Sequence, residues 1–195
     1  MPDHDHGVVI EGRRIRTPRL LLRPWTGDDA DAALAVYGTE QVTRWLAPAF
    51  DLVTDTDAMR RHLDRWIAEG AAVDPPLGRW AVELRETGEL VGGVALLPLP
   101  PDLLDVEIAW QLTPTMWGKG IASEAGHAVA HHAFESGIDE IFAVVRPQNE
   151  RGASTARRVG MDWVGETGKY YGLELQVYRL RKGELDIPGL APPES

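Results

Sequence analysis

Glu107-Ile108-Ala109-Trp110-Gln111-Leu112-Thr113-Pro114-Thr115-Met116-Trp117-Gly118-Lys119-Gly120-Ile121-Ala122-Ser123-Glu124-Ala125 runs from a strand-like segment through a proline turn into a glycine-rich helix start. A helix that begins this way leaves backbone N–H groups without intrahelical partners, and its dipole adds positive potential, so the segment has the geometry of a phosphate site. Gly118 and Gly120 would let the backbone approach an anion closely. The segment lacks the Lys-Ser/Thr ending of a P-loop, and its glycines do not fit the dinucleotide fingerprint. On their own, two glycines at a helix start read first as turn chemistry.

Outward from this stretch, the hydrophobic period sorts the chain into elements. From Arg79, Trp80, Val82 and Leu84 alternate with charged or small residues up to Thr87-Gly88, a strand and a turn, and Leu90 to Leu97 is the partner strand. Val106 to Leu112 is a further strand. Gly118 to Gly137 reads as a helix, because Ile121, Ala125, Ala128, Val129 and Ala133 fall on one face. Ile141 to Val145 is β-branched and strand-like, Gly152 to Val159 is a short helix, and Trp163 to Tyr171 with Leu175 to Leu180 closes the chain as an antiparallel pair. Towards the N-terminus, Leu20 to Leu22 is a short strand and Asp28 to Val36 an amphipathic helix with acidic residues in its first turn. Thr54 is a candidate N-cap for a helix through Glu69 that carries Met59, Leu63, Trp66 and Ile67 at helical spacing.

Helices, a meander, one strand-helix-strand crossover and a closing hairpin describe an α+β domain around a mixed sheet. Its expected bounds are 13–185, with polar and proline-rich tails at 1–12 and 186–195. The 195 residues suit one domain, and no apolar run approaches the roughly 20 residues of a membrane span. With no basic, apolar signal segment at the start, a cytoplasmic location is expected. There is no cysteine, which excludes disulfides, thiolate metal sites and a thioester intermediate on the enzyme. The formal charge of -10 argues against nucleic acid and anionic membranes as partners, so an anionic ligand needs a local site.

The glycine-rich segment resembles the acyl-coenzyme-A site of the GNAT acetyltransferase superfamily, in the branch of the ribosomal-protein N-terminal acetyltransferases. The family pattern is Gln/Arg-x-x-Gly-x-Gly/Ala; Gly120 and Ala122 match its last two positions, and Trp117 stands in place of the Gln/Arg. The resemblance extends from Thr17 to about Glu184. It includes the opening Thr-Pro-Arg-Leu-Leu-Leu-Arg-Pro, the Arg146-Pro147-Gln148-Asn149 block and the Gly160-Met161 pair eleven residues after Asn149. It implies a mostly antiparallel sheet flanked by helices, in which acetyl-CoA or a close acyl-CoA sits between two splayed parallel strands, Val106 to Leu112 and Ile141 to Arg146. Backbone N–H groups around Trp110, Gln111 and Leu112 would polarise the thioester. Those of Trp117, Gly118, Lys119, Gly120, Ile121 and Ala122 would hold the pyrophosphate, and Asn149 would reach the pantetheine or cap a helix.

Such enzymes transfer the acyl group directly, and the amine must be neutral when it attacks. Glu107, on the strand before the phosphate loop, is the candidate base; a solvent-facing strand carboxylate is the other reading. For the acid, Ala156 and Gly152 occupy positions where relatives carry Tyr and Ser, and Ser154 faces elsewhere. Tyr170 and Tyr171, read as strand residues, are either substitutes or core tyrosines.

His127 and His131 have the i, i+4 spacing of a metal pair but no third ligand, so a solvated helix face is preferred, and no metal is expected. The His4-Asp5-His6 run is equally weak. Asp28, Asp29 and Asp31 read as helix N-terminal charge, and Arg157 and Arg158 as solvated or as partners of the coenzyme's phosphates. Trp25, Trp45, Trp66 and Trp110 could wall an acceptor pocket, Trp45 above all, while Trp66, Trp80 and Trp110 also suit the core. The expected activity is acetyl transfer to a protein or peptide N-terminus. A polyamine or aminoglycoside acceptor, or an acyl-CoA sensor without turnover, are the other readings, and a homodimer is left open.

Overall fold

The computed structural model describes residues 7–185. Nine strands form one sheet: β1 (Val9–Glu11), β2 (Arg14–Arg16), β3 (Leu20–Pro24), β4 (Gly78–Leu84), β5 (Leu90–Pro98), β6 (Val106–Leu112), β7 (Glu140–Val145), β8 (Asp162–Thr167) and β9 (Leu175–Arg181). The spatial order is β1-β2-β3-β4-β5-β6-β7-β9-β8. Every neighbouring pair is antiparallel except β6 and β7, which the crossover makes parallel. The helices are α1 (Ala30–Tyr37), α2 (Glu40–Thr43), α3 (Thr56–Ala72), α4 (Ile121–Glu135) and α5 (Glu150–Val159).

Strand alternation divides the side chains between two cores. Trp80, Val82, Val94, Leu96, Ile108 and Leu112 point to one face and pack with Ile121, Ala125 and Val129 of α4. Ala81, one residue out of phase, belongs to the other core with Trp25, Tyr37, Met59, Leu63 and Trp66 from α1, α3 and the segment before them. Helices therefore cover both faces of the central strands, including the face that carries Arg79, Gln111 and Glu107.

An ion-pair network fixes the start of α1. Arg23 on β3 grips Asp29 at 2.8 and 2.9 Å and Glu83 of β4 at 2.8 Å. Asp29 also accepts from the Thr26 amide at 2.8 Å, so one member of the expected acidic run is a buried cap and ion-pair partner.

Several boundaries differ from the sequence reading. Val9–Glu11, expected within the N-terminal tail, pairs with β2 as the edge strand. The α3 cap is Asp55, whose carboxylate accepts from the Ala58 amide at 2.7 Å, and not Thr54; both residues suit the position, and Asp55 alone makes the bond. β8 ends at Thr167, so Tyr170 and Tyr171 lie in the turn before β9 and not on a strand. Thr167 and Gly168 already carry turn chemistry, and Gly172 follows with a positive φ of 66°. His4 to His6 and the 186–195 tail lie outside the described residues.

Candidate active site

The site begins where the sheet opens. β6 pairs with β5 over its whole length, from Gly92↔Leu112 to Pro98↔Val106, yet meets β7 at a single register, Glu107↔Phe142. Beyond Glu107 the two parallel strands part and leave a V between them. At its mouth, Gly118 and Gly120 hold φ of +77° and +76°, a left-handed conformation that L side chains rarely adopt. That conformation turns the chain into α4. Glu124 N–H is bonded to the Gly120 carbonyl at 3.0 Å, so the earlier helical N–H groups of Ile121, Ala122 and Ser123 have no intrahelical acceptor.

The first turn of α4 is braced from the opposite end of the chain. The Glu124 carboxylate accepts from Thr17 Oγ1 at 2.6 Å, the Arg19 amide at 3.0 Å and Arg19 Nε at 2.5 Å. Arg19 Nη1 in turn donates to the Lys119 carbonyl at 3.0 Å. Trp117 is fixed by its indole N–H on the Leu112 carbonyl at 3.1 Å and carries the Arg151 guanidinium 3.9 Å above its ring. This cradle of outward N–H groups fits a pyrophosphate.

A cavity of about 330 Å³ runs from this mouth to the sheet face under α1 and α3. Glu107 lines it and is half-buried. Its Oε2 accepts the Tyr171 hydroxyl at 2.7 Å. Burial pushes the Glu107 carboxyl up to about 7, against the opposing pull of the Tyr171 hydrogen bond and the Arg79 charge. The Tyr171 hydroxyl is pushed far above its ordinary value, first by burial and then by the Glu107 charge and hydrogen bond. Tyr171 itself holds a left-handed φ of 54°, an uncommon state for a non-glycine residue.

The cavity floor is made of small residues, Ala95 and Ala109, between Arg79, Glu107 and Gln111 on the same sheet face. Tyr37 donates to Gln111 Oε1 at 3.1 Å. Gly93 beneath them has to be glycine, since a Cβ there would sit 2.5 Å from the Tyr37 hydroxyl. Trp25, Trp45, Phe50 and Trp66 form the aromatic wall.

Of the residues singled out from the sequence, Glu107, Trp110, Gln111, Leu112, Trp117, Gly118, Gly120, Ile121, Ala122 and Asn149 all border this cavity. Lys119 does not: its side chain is exposed, with Nζ 3.7 Å from Met116 Sδ. Asn149 caps α5 by accepting from the Gly152 amide at 3.0 Å, and a side chain at Gly152 would collide with it. Ala156 is wholly buried, and Tyr170 is taken up by Asp105 at 2.6 Å. Arg158 borders the cavity, whereas Arg157 turns to Tyr178, its Nη2 3.3 Å from the hydroxyl. His127 and His131 are half-buried on α4. Sequence reasoning missed Arg79 and Tyr37; the period-two pattern that buries Trp80 already put Arg79 on the opposite face, in line with Glu107.

A family model, the acetyltransferase (GNAT) domain, matches residues 19–162. The chain is similar to YoaA, an uncharacterized N-acetyltransferase of Bacillus subtilis, with 28% identity over 158 residues that span 80% of this chain and 86% of YoaA. Its fold is similar to that of a GNAT-family acetyltransferase from Bacillus anthracis, with a TM-score of 0.72 and 22% identity over 88% of this chain and 99% of that one. It is also similar to RimL, a ribosomal α-N-protein acetyltransferase solved with coenzyme A, with a TM-score of 0.66 and 18% identity over 85% and 95% of the two chains. Among the described residues, no helix is long and apolar enough to cross a membrane.

Proposed function

The chain belongs to the GNAT acetyltransferase family, and from that premise we propose that it transfers an acetyl group from acetyl-CoA directly to the α-amine of a protein or peptide N-terminus, with Glu107 as the base. The observation that carries this reading is the Glu107 carboxylate, held by Tyr171 at 2.7 Å inside the cavity that leads to the α4 cradle. When bound, acetyl-CoA supplies an activated acetyl thioester. The N–H groups of Ile121, Ala122 and Ser123 would face its pyrophosphate, and Arg151 and Arg158 stand at the mouth, where its remaining 3′-phosphate would lie.

Glu107 removes a proton from the arriving ammonium. With its carboxyl at about 7, the transfer from an α-ammonium of pKa near 7.7 to 8.0 is uphill by about one unit, against more than three from a lysine near 10.4. That difference favours N-terminal amines. Tyr171 is the proton donor to the departing thiolate. Two of the influences that hold its proton, the Glu107 charge and the hydrogen bond to it, weaken once Glu107 is protonated. Deprotonation of the amine therefore precedes donation by Tyr171; the tyrosine oxygen then takes the second proton that the acylated nitrogen sheds, and the proton on Glu107 leaves to solvent, which restores both groups.

The test is release of free coenzyme A from acetyl-CoA in the presence of peptides, spermidine and an aminoglycoside. The reading expects turnover with peptides and its loss in Glu107→Gln. Tight acetyl-CoA binding without turnover on any amine would make the chain a sensor.

A further inference from the structure

We propose that Arg79 reads a carboxylate on the acceptor, so that the substrate is a primary amine carrying a carboxylate a few bonds away. This rests on the cavity being the acyl-transfer site. Arg79 lies on β4, where Arg79↔Ala95 and Ala95↔Ala109 place it in one row across the sheet, two residues along from Glu107. Two strand spacings and that offset separate the Cα atoms by about 12 Å, and the two side chains reach from the ends of this span toward one space. The row that runs straight across from Arg79 carries only the methyl groups of Ala95 and Ala109, with Leu97 beside Glu107 at its edge.

The guanidinium is poorly occupied. Among the described residues its ion-pair partner is Glu69, at 3.9 Å on the rim, and it lies 5.1 Å from the Trp66 ring. Among the described residues, none of its five donors is used in a side-chain hydrogen bond, although burial disfavours its charged form. A planar fork left open beside an aromatic wall is suited to bidentate binding of a carboxylate. The charge of the whole lining points the same way. Although the chain carries -10 overall, its cavity is bordered by Arg79, Arg146, Arg151 and Arg158 against one carboxylate, Glu107. Arg151 and Arg158 stand with Trp117 and α5 at the mouth, and Arg146, just past β7, donates to the Ala47 carbonyl, which leaves Arg79 as the open cation on the inner sheet face. A polyamine or aminoglycoside would bring further positive charge against it.

Such an acceptor is either a peptide whose first residue is acidic or a free amino acid, and matched pairs separate the two. Initial rates would be measured for tetrapeptide amides beginning with Asp or Asn, for alanine against alaninamide, and for spermidine. The expected result is a preference of at least tenfold in kcat/KM for the carboxylate member of one pair, lost in Arg79→Gln while the KM for acetyl-CoA stays the same. A calorimetric arm needs no turnover. The coenzyme A-saturated protein is titrated with the N-acetylated Asp and Asn peptides and with N-acetylalanine and its amide, and the carboxylate forms should bind more tightly. If that binding preference appears without turnover on any amine, Arg79 keeps its role and the catalytic reading falls. Equal rates and equal binding within both pairs in the wild-type protein, or a preference that survives Arg79→Gln, would overturn the inference.

Discussion

Burial of the Glu107 carboxyl in the cavity wall both tunes its chemistry and costs the fold. Its value of about 7 in the folded chain compares with 4.5 for the free group. Between these values the folded state holds a proton that the unfolded state has released, so stability falls as pH rises through the window. Glu107→Gln removes the titration. The variant should match the wild type near pH 4 and exceed it above pH 7, by on the order of 1–3 kcal/mol, or roughly 3–8 °C in Tm for a chain of this size. Thermal melts across pH measure this, and parallel curves would show that the carboxyl is not buried. Glu107 was legible in the sequence because a lone acid stands on the strand that enters the phosphate loop. Whether it faced solvent or a cavity was not legible, since that depends on α1 and α3, which cover its face from more than thirty residues away in the chain.

At the scale of elements, β6, the α4 start and α5 were legible because each pairs a clear hydrophobic period with its own stop or start chemistry. The turn between β8 and β9 was not. Tyr170 and Tyr171 carry strand propensity, and tertiary bonds to Asp105 and Glu107 override it. The turn into α4 depends on the left-handed backbone at Gly120, with φ of +76°. An alanine there costs about 1–2 kcal/mol in that conformation, which the loop relieves by rotating its N–H groups away from the ligand. Gly120→Ala should weaken acetyl-CoA binding roughly tenfold, the equivalent of about 1.4 kcal/mol, with unchanged far-ultraviolet circular dichroism. Calorimetric titration reads the affinity directly. An unchanged affinity would mean that the coenzyme does not use the loop conformation.

Across the whole molecule, the splay that receives the ligand is also a seam, because β6 and β7 pair at one register and the sheet's two halves are joined there by that contact and by the packing of α4 on α5. A ligand that fills the V bridges the halves and binds the folded state alone. Acetyl-CoA at 100 times its Kd should therefore add about 2.7 kcal/mol, seen as a concentration-dependent rise in Tm, whereas a ligand confined to the surface of one half would leave unfolding of the other unchanged. The α+β class and its one crossover followed from element order, but the covering of both sheet faces did not, because Arg79, Ala81 and Glu83 give β4 the outward pattern of a solvated face. The measurement closest to the central claim is the pH profile of kcat/KM for a peptide acceptor, in wild type and Glu107→Gln. Wild-type activity should rise as the base ionises, with an acid limb near the value of about 7 set by Glu107. The variant should fall by roughly 10²–10⁴ near neutral pH and recover towards high pH, as the amine loses its own proton. A variant with wild-type turnover at neutral pH, or one depressed equally at every pH, would contradict the assignment of Glu107 as the base.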